Sequence, residues 1–378
     1  MRGYQCRILA SLLLFFSTLT CLVAGSAQAN GIGTLYVAIE TGQIVSVIDT
    51  NTNTVVELVP LDLPPGDIDF SPDAHFVYVS HLNSNLISII DTSVEQVTAT
   101  IDTPGQVGEI EVAAGGTRLI ATDPQQGLIR VIDPSLKNQL FAVSVNGEPV
   151  SLAVSLDGDL AYVSDSASGS VSTVDLKSQM VVCTIQAGHG AHYLSLAPDG
   201  MELFVTSLES EHLLVLDAVT GRVKRSFTIG PAIGPVAFSP LGDVAYLPRA
   251  DKNEIAVVNP VSGSVIDAIS LPGKPFSLNI NKAGSKGYVT LPENDTVAVI
   301  DITNRKLLAQ VSVDEKPTKA VLSPLQERVE PVVIPGALPN TGGEEQQQSP
   351  AVLLVLVALI VASGAVIFKR FRANPSAK

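Results

Sequence analysis

Residues 78–91 read YVSHLNSNLISIID, in which an aromatic residue opens a short apolar run, a polar turn follows, and aspartate closes a β-branched run. The pattern repeats every 42 residues, as from Asp49 to Asp91. The closing position holds Asp49, Asp91, Asp133, Asp175, Asp217, Asn259 and Asp301, and the aromatic position holds Tyr36, Tyr78, Ile120, Tyr162, Phe204, Tyr246 and Tyr288. Seven copies without an insertion or deletion indicate a repeat protein.

Each copy predicts four short strands. In the fourth copy, an inner strand over 149–155 leads to a turn at 156–158, and three further strands follow near 161–163, 170–175 and 180–185. Short β-branched runs separated by Gly, Asn, Asp and Ser favour strands and turns over helices. The sequence therefore predicts an all-β fold, a seven-bladed β-propeller over residues 30–324. An open solenoid of the same repeats is the alternative.

The phase of the repeat predicts how the ring closes. The first copy lacks an inner strand, and the last copy is followed by a surplus one at 317–323. We expect this surplus strand to pair with the first three strands, near 35–38, 44–49 and 55–60, and so to close the first blade. Residues 325–337 follow as a predicted stalk.

The N-terminus has the pattern of an export signal. Within residues 1–29, Arg2 and Arg7 precede an apolar stretch that ends in Ala-Gln-Ala at 27–29. A charged start, an apolar middle and a small-residue cleavage site are typical of a secretory signal peptide. A retained N-terminal anchor is the alternative.

A second apolar run lies near the C-terminus. Residues 351–368 contain no charged side chain, and they are long enough to cross the hydrocarbon core of a bilayer as a helix. The basic residues Lys369, Arg370 and Arg372 follow at once, which predicts that the tail 369–378 is cytoplasmic. The sequence thus predicts a protein that is exported and held at the cell surface by a transmembrane helix.

A pentapeptide stands just before this run: Leu338, Pro339, Asn340, Thr341 and Gly342. The pentapeptide, the apolar span and the basic tail together resemble the LPxTG sorting signal of sortase substrates. This resemblance implies that a sortase cuts between Thr341 and Gly342 and joins Thr341 to the cell wall. A plain single-span anchor with a chance pentapeptide is the alternative.

Composition excludes several classes of protein. The chain has 378 residues, 46% of them hydrophobic, which excludes wholesale disorder. Its net charge of −14 argues against a nucleic-acid partner, because phosphate binding needs clustered Lys and Arg. The chain contains no Gly-x-Ser-x-Gly, P-loop, CxxCH or HExxH motif, and the sequence requires no cofactor.

The repeats with Tyr-Val before a Val-x-Val-Ile-Asp run and a Ser-Pro-Asp turn resemble the YVTN family of β-propeller repeats. The match covers about residues 31–324. The resemblance implies the fold, but it leaves the activity open, because related propellers include lactonases, lyases and domains of haem and copper enzymes.

The least repetitive loops predict where a ligand binds. In a propeller, the loops leading into the inner strands and those joining the second and third strands lie on one face, around the mouth of the central channel. The candidate binding residues there are His81, His192, Tyr193, Phe276 and Lys319. We expect these loops to bind a protein or a glycan, because residues that serve one ligand need not repeat.

Two other interpretations concern the same loops. His189, His192 and His212 fall in one blade and could bind a metal ion, since imidazoles suit zinc, copper or nickel. An exposed polar loop without a ligand is the alternative. An extracellular lactonase-like or lyase-like enzyme with a metal or small-molecule site near His192 is the alternative to a binding module. The repeated aspartates are predicted to accept backbone N–H groups in the turns that follow them.

Overall fold

The computed structural model describes residues 33–325 except 146, 208 and 231–233. In this part of the chain, 28 strands form seven antiparallel sheets of four strands each. The prediction of an all-β, seven-bladed β-propeller is confirmed, and the open solenoid is excluded because the last strand pairs with the first.

The strands fall into blades in chain order. Blade 1 contains β1 (Thr34–Ile39), β2 (Ile44–Asp49), β3 (Thr54–Pro60) and the closing strand β28 (Pro317–Leu322). Blades 2 to 4 contain β4 (Pro65–Phe70), β5 (Phe76–His81), β6 (Leu86–Asp91) and β7 (Gln96–Asp102); β8 (Ile110–Val112), β9 (Leu119–Asp123), β10 (Leu128–Asp133) and β11 (Asn138–Ser144); and β12 (Pro149–Val154), β13 (Leu160–Asp165), β14 (Ser170–Asp175) and β15 (Met180–Gln186). Blades 5 to 7 contain β16 (Ala191–Leu196), β17 (Glu202–Ser207), β18 (His212–Asp217) and β19 (Val223–Thr228); β20 (Ala237–Phe238), β21 (Ala245–Arg249), β22 (Glu254–Val258) and β23 (Val265–Ser270); and β24 (Leu278–Ile280), β25 (Lys286–Leu291), β26 (Thr296–Asp301) and β27 (Lys306–Ser312).

The predicted closing strand is present. β28 is the inner strand of blade 1, in the order β28-β1-β2-β3, and its residues Ala320 and Leu322 lie opposite Val37 and Leu35. The backbone N–H of Ser323 donates to the carbonyl of Thr34 at 2.9 Å. The ring is therefore held shut by strand pairing between the two ends of the described chain.

The core lies between neighbouring blades. The aromatic ring of Tyr36 in blade 1 meets Phe70 of blade 2 edge to face, with ring centroids 5.1 Å apart. The Tyr36 hydroxyl donates to the Glu95 carboxylate at 2.7 Å, so it reaches a turn of the next blade. A single blade has apolar residues on both faces, which explains why the blades must form a ring.

The repeated aspartates end their strands in a common turn. Asp133 Oδ1 accepts from the backbone N–H of Ser135 at 2.9 Å and of Leu136 at 3.0 Å. Asn259 does the same for Val261 at 2.9 Å. The predicted structural role is confirmed, because the half-buried side chain satisfies turn N–H groups. We call this end of the blades the turn face.

A glycine completes each of several turns between an inner strand and the next strand. Gly200 has φ of +71°, and a Cβ placed on it would lie 2.8 Å from Leu156 Cδ1 of the preceding blade. Only glycine meets both the left-handed backbone and this close approach. The turn face is therefore packed tightly from blade to blade.

Helical structure is sparse in the described residues. These residues contain one 3₁₀ turn, Pro292–Asn294, and no helix long and apolar enough to cross a membrane. The predicted signal peptide 1–29, the sorting motif 338–342 and the transmembrane helix 351–368 lie outside the described residues. Those three assignments stay predictions.

Candidate functional site

A cavity of about 330 Å³ opens at the end of the blades opposite the turn face. We call it the mouth cavity. The five candidate binding residues predicted from the sequence all line it: His81, His192, Tyr193, Phe276 and Lys319. The structure brings these residues together, while their binding role stays a prediction.

Four blades supply these side chains. His81 ends β5, Phe276 lies just before β24, and Lys319 lies on the closing strand β28. His192 and Tyr193 lie on β16, the inner strand of blade 5. Residues far apart in sequence meet because every inner strand starts at the same rim.

A larger cavity of about 510 Å³ lies on the turn face between blades 2 and 3. Its walls include Pro72, Phe76, Tyr78, Gly116 and Pro134. Its polar lining, which includes Asp73 and Ser135, belongs to the turns that recur in every blade, and Asp73 is already bonded to Ser71 there. We therefore base the candidate site on the mouth cavity, despite its smaller volume.

Carboxylates hold neighbouring inner strands together around the channel. Asp67 Oδ2 accepts from the backbone N–H of Ile110 at 2.9 Å, and Asp69 Oδ2 accepts from Val112 at 2.7 Å. An inner strand has one edge without a strand partner, so these bonds satisfy N–H groups that would otherwise be orphaned. Sequence analysis missed this role. The available signal was the pair of acidic residues two positions apart, which occurs in only two of the repeats.

Lys319 carries the positive charge at this site. Its ammonium Nζ lies 2.7 Å from Glu109 Oε1 and 3.4 Å from Asp67 Oδ1. Burial by itself lowers the pKa of Lys319, but the carboxylates of Asp67 and Glu109 outweigh that effect and hold its pKa well above the usual range. Lys319 is therefore a permanent cation that links blade 1 to blades 2 and 3.

Deeper in the channel, burial acts on two more carboxyl groups. It raises the pKa of Asp69 to about 7, against the effect of its backbone hydrogen bonds. Burial, and then the nearby charge of Asp69, raise the pKa of Glu111 well above its ordinary value. We call Asp67, Asp69, Glu109 and Glu111 the axial acidic group. Two of its carboxyl groups, those of Asp67 and Glu109, contact the ammonium of Lys319.

His192 and Tyr193 form the aromatic side of the mouth. Their ring centroids are 4.3 Å apart, with the planes tilted by 55°. Burial, and then the charge of Lys319, lower the pKa of His192, so this imidazole is neutral at pH 7. Its Nδ1 is buried and has no hydrogen-bond partner among the described residues. The residue lines the cavity, while this nitrogen is enclosed by the surrounding protein atoms.

His81 differs from His192 in the hydrogen bonds of its ring. Its Nδ1 lies 3.0 Å from the carbonyl of Leu63, and its Nε2 lies 2.8 Å from Ser88 Oγ. Only 2% of the residue is exposed, and burial lowers its pKa. Both ring nitrogens are engaged within blade 2, so His81 supports the cavity wall and has no free nitrogen for a ligand.

The three histidines predicted to share a metal ion are not grouped. Among the described residues, no set of three or more His, Cys, Asp or Glu side chains is placed to hold a metal ion. His189 and His212 are exposed, and His212 Nδ1 lies 3.4 Å from Thr228 Oγ1. Only His192 faces the mouth cavity. Their proximity in sequence did not place the rings together, because strand ends and loops point side chains in different directions.

Comparisons with known proteins support the fold. No family model and no curated protein sequence matches the chain. Among solved structures, it is similar to a chain of Kuenenia stuttgartiensis hydrazine synthase with a TM-score of 0.61 and 19% identity, over 68% of this chain and 89% of that one. Identity this low shows a shared propeller fold and nothing about chemistry.

Proposed function

We propose that this protein is an exported β-propeller, anchored at the cell surface, that binds a ligand at the mouth of its central channel. The observation that carries the binding role is the convergence of residues from four blades on one cavity of about 330 Å³. A cavity of this size with aromatic walls and a few charged groups is typical of ligand sites.

The anchoring part of the proposal rests on the sequence. The signal pattern of 1–29, the LPNTG motif and the apolar run 351–368 stand in the order that sortase substrates have. The described chain ends at Leu325 on the turn face, just after the closing strand.

The anchor is tested by Thr341→Ala in the full-length chain. We expect wild-type protein to resist extraction by boiling detergent and to be released by wall-digesting enzymes. The variant is expected in the membrane or the medium, because the substitution alters the pentapeptide that a sortase recognises before it cleaves the bond after residue 341. A variant still bonded to the wall would contradict covalent attachment through Thr341.

The binding role is tested by screening the full-length chain against glycan and protein arrays. The double variant His192→Ala, Tyr193→Ala is expected to lose the ligand that the wild type selects. His75→Ala is the matched control, since its exposed imidazole lies on the turn face. A partner crosslinked to the turn face, or binding equally to the double variant, would refute the proposal.

An enzyme is the second candidate, and one observation favours it. His192 lines the cavity as a neutral imidazole near the cation Lys319, which would suit a general base beside an electrostatic stabiliser. Turnover of lactones or related esters by wild type, lost in His192→Ala, would support it. The absence of a recognisable catalytic motif makes the binding role the better supported one.

A further inference from the structure

Side chains of the inner strands join neighbouring blades along the channel. An acceptor on one inner strand takes the N–H of a residue on the next one, as Ser195 Oγ does for Val236 at 3.0 Å. The acceptors of this kind include Asp67, Asp69, Glu109, Ser151 and Ser195. They satisfy backbone donors at the free edge of the following inner strand. Blades 2 to 6 are therefore joined in sequence by side chain to backbone hydrogen bonds.

The joint between the closing strand and blade 2 is different. Lys319 of β28 occupies the position that Asp67 and Glu109 hold in their own repeats. Lysine has donors and no acceptor, so it cannot take a backbone N–H from the next inner strand. Its Nζ instead lies 2.7 Å from Glu109 Oε1 and 3.4 Å from Asp67 Oδ1. One side chain of the last strand thus contacts blade 2 and also blade 3, which is not adjacent to blade 1.

The three residues of this bridge also line the mouth cavity, together with Thr318 of the same strand. Thr318 Oγ1 donates to the carbonyl of Ala38 at 3.3 Å and so attaches this end of β28 to β1. If β28 left its place, Thr318 and Lys319 would be lost from the cavity wall, and Asp67 and Glu109 would lose their cation. The closed ring and the complete cavity therefore depend on the same contacts.

The contact with Glu109 supplies most of the attraction in the bridge. It is the shorter of the two, and burial raises the pKa of Asp67, which reduces the negative charge there. The side chains of Glu109 and Lys319 are 18% and 23% exposed, so water screens their attraction only in part. Removing one partner of such a pair is strongly destabilising, because the other charge stays desolvated. Opening of β28 withdraws the ammonium in the same way, so the bridge opposes it.

A second lysine at the same end of the closing strand gives a contrast. Lys316 directly precedes β28, and its Nζ lies 2.6 Å from Glu40 Oε1 within blade 1. Its side chain is 51% exposed, and an exposed pair of this kind contributes little to stability. The ion pair of Lys316 therefore does not hold β28 to blades 2 and 3, whereas that of Lys319 does.

We infer that Lys319 forms a latch with Glu109 and Asp67 that couples closure of the ring to the mouth cavity. While the ammonium bridges blades 2 and 3, β28 is held in blade 1 and the cavity wall is complete. When the bridge opens, both are lost together. By linkage, a ligand that fills the closed cavity would also stabilise the closed ring. This last consequence alone rests on the proposed binding role, since the latch itself needs no ligand.

Hydrogen exchange of the full-length chain tests the latch. Lys319→Met removes the ammonium and keeps a long side chain, and Lys316→Met is the matched control. We expect Lys319→Met to speed exchange in β28 and β1 about tenfold, because loss of the pair favours local opening, and to leave β13 of blade 4 unchanged. Lys319→Arg keeps the cation and should restore slow exchange. Wild-type exchange of β28 in Lys319→Met, or equal acceleration in Lys316→Met, would overturn the inference.

A thiol in the cavity wall tests the coupling. Val107 lines the cavity and is 2% exposed, so the thiol introduced by Val107→Cys should react slowly with a maleimide. Adding Lys319→Met should speed the labelling several-fold, whereas adding Lys316→Met should not. Mass spectrometry of the peptide that contains residue 107 measures the rate. Faster exchange of β28 with slow labelling at residue 107 would show that the ring opens while the cavity stays intact, and the coupling would be wrong.

Glu109→Gln serves if Lys319→Met fails to fold, because it weakens the bridge and leaves β28 itself unaltered. It should speed exchange in β28 a few-fold, and wild-type exchange in this variant would overturn the inference. Both measurements are made without a ligand, so their failure would leave the proposed binding role standing. A partner found only on the turn face would refute that binding role and leave the latch standing.

Discussion

At the turn face the same chemistry is repeated around the ring, whereas at the mouth each blade presents a different side chain. The strand-ending acceptor is aspartate in six repeats and asparagine in one. The corresponding mouth positions hold Asp67, Glu109, Ser151, Tyr193, Pro235, Ser277 and Lys319. Positions fixed by packing repeat with the fold, and the break in repetition at the mouth is the basis for predicting a ligand there, although Asp67, Glu109 and Lys319 also bond neighbouring blades.

The largest effect is expected where both faces depend on one element, the closing strand. Deleting residues 316–324 removes the inner strand of blade 1 and the contacts of Ala320 and Leu322 with the core. We expect a loss above about 5 kcal/mol, since the fully buried Leu35, Val37 and Ile39 of β1 lose their cover, at about 1.5–3 kcal/mol each. Calorimetric unfolding measures it.

Deletion of 326–337 is the control for this experiment, because that segment is the predicted stalk. It should leave the melting temperature unchanged. A chain that lacks 316–324 and still unfolds cooperatively at the wild-type temperature would contradict closure by β28.

The pH dependence of stability tests the channel and the turn face separately, because each contains a carboxyl group whose pKa is raised by burial. Burial raises the pKa of Asp69, in the channel, and of Glu95, on the turn face, to about 7. An unfolded carboxyl group titrates near pH 4, so the folded chain holds protons that the unfolded chain has released. This stabilisation is complete below about pH 4 and is lost as the pH rises through about 7. We expect Tm to be lower at pH 8 than at pH 5 by about 5 °C or more.

Urea unfolding between these pH values checks the prediction. Asp69→Asn and Glu95→Gln should each reduce the pH dependence of the free energy of unfolding. The size of each reduction gives the contribution of the channel and of the turn face. A stability that rises from pH 5 to pH 8 would show that these carboxyl groups are ionised in the folded protein.

Two histidines of the mouth cavity give a sharper comparison within one face. His81→Ala should cost about 1–3 kcal/mol, because it removes hydrogen bonds to Leu63 and Ser88 from a buried site. His192→Ala should cost less than about 1 kcal/mol, since no hydrogen bond of its ring is lost, yet it should weaken ligand binding. Denaturation and binding assays on both variants measure the contrast. Equal destabilisation by the two variants would contradict the assignment of His81 to the cavity wall and of His192 to ligand contact.

The smallest effect is expected at a single turn. Asp133→Ala removes the acceptor for the N–H groups of Ser135 and Leu136, at an exposed site, and should cost about 1 kcal/mol. Asp133→Asn should be nearly neutral. Neither variant should alter ligand binding, and a change in binding would place function on the turn face as well.

Sequence reasoning reached the blades, the closing strand and the aspartate turns because all three follow from one repeat length. It also placed Lys319 and His192 at one rim. It missed the axial acidic group. The hydrogen bond from the Ile110 N–H to Asp67 joins residues 43 positions apart on neighbouring blades, and it depends on how the inner strands are spaced around the channel. It grouped His189 with His212 because sequence proximity does not determine side-chain direction. The engaged nitrogens of His81 likewise depend on packing that the repeat does not encode.

The pairing of β28 with β1 also governs the order in which the molecule can fold. Thr318 contacts Ala38 across 280 residues, so blade 1 has an open inner edge until the final strand is made. Joining such distant ends adds little entropy cost, about 0.6 kcal/mol for each doubling of the loop, but contacts this far apart in sequence form slowly. During that delay the edge of β1 can accept the β28 of a second molecule. Refolding at high concentration should therefore yield a strand-exchanged dimer, detectable by sedimentation, and a monomer at every concentration would show that closure within one chain is faster.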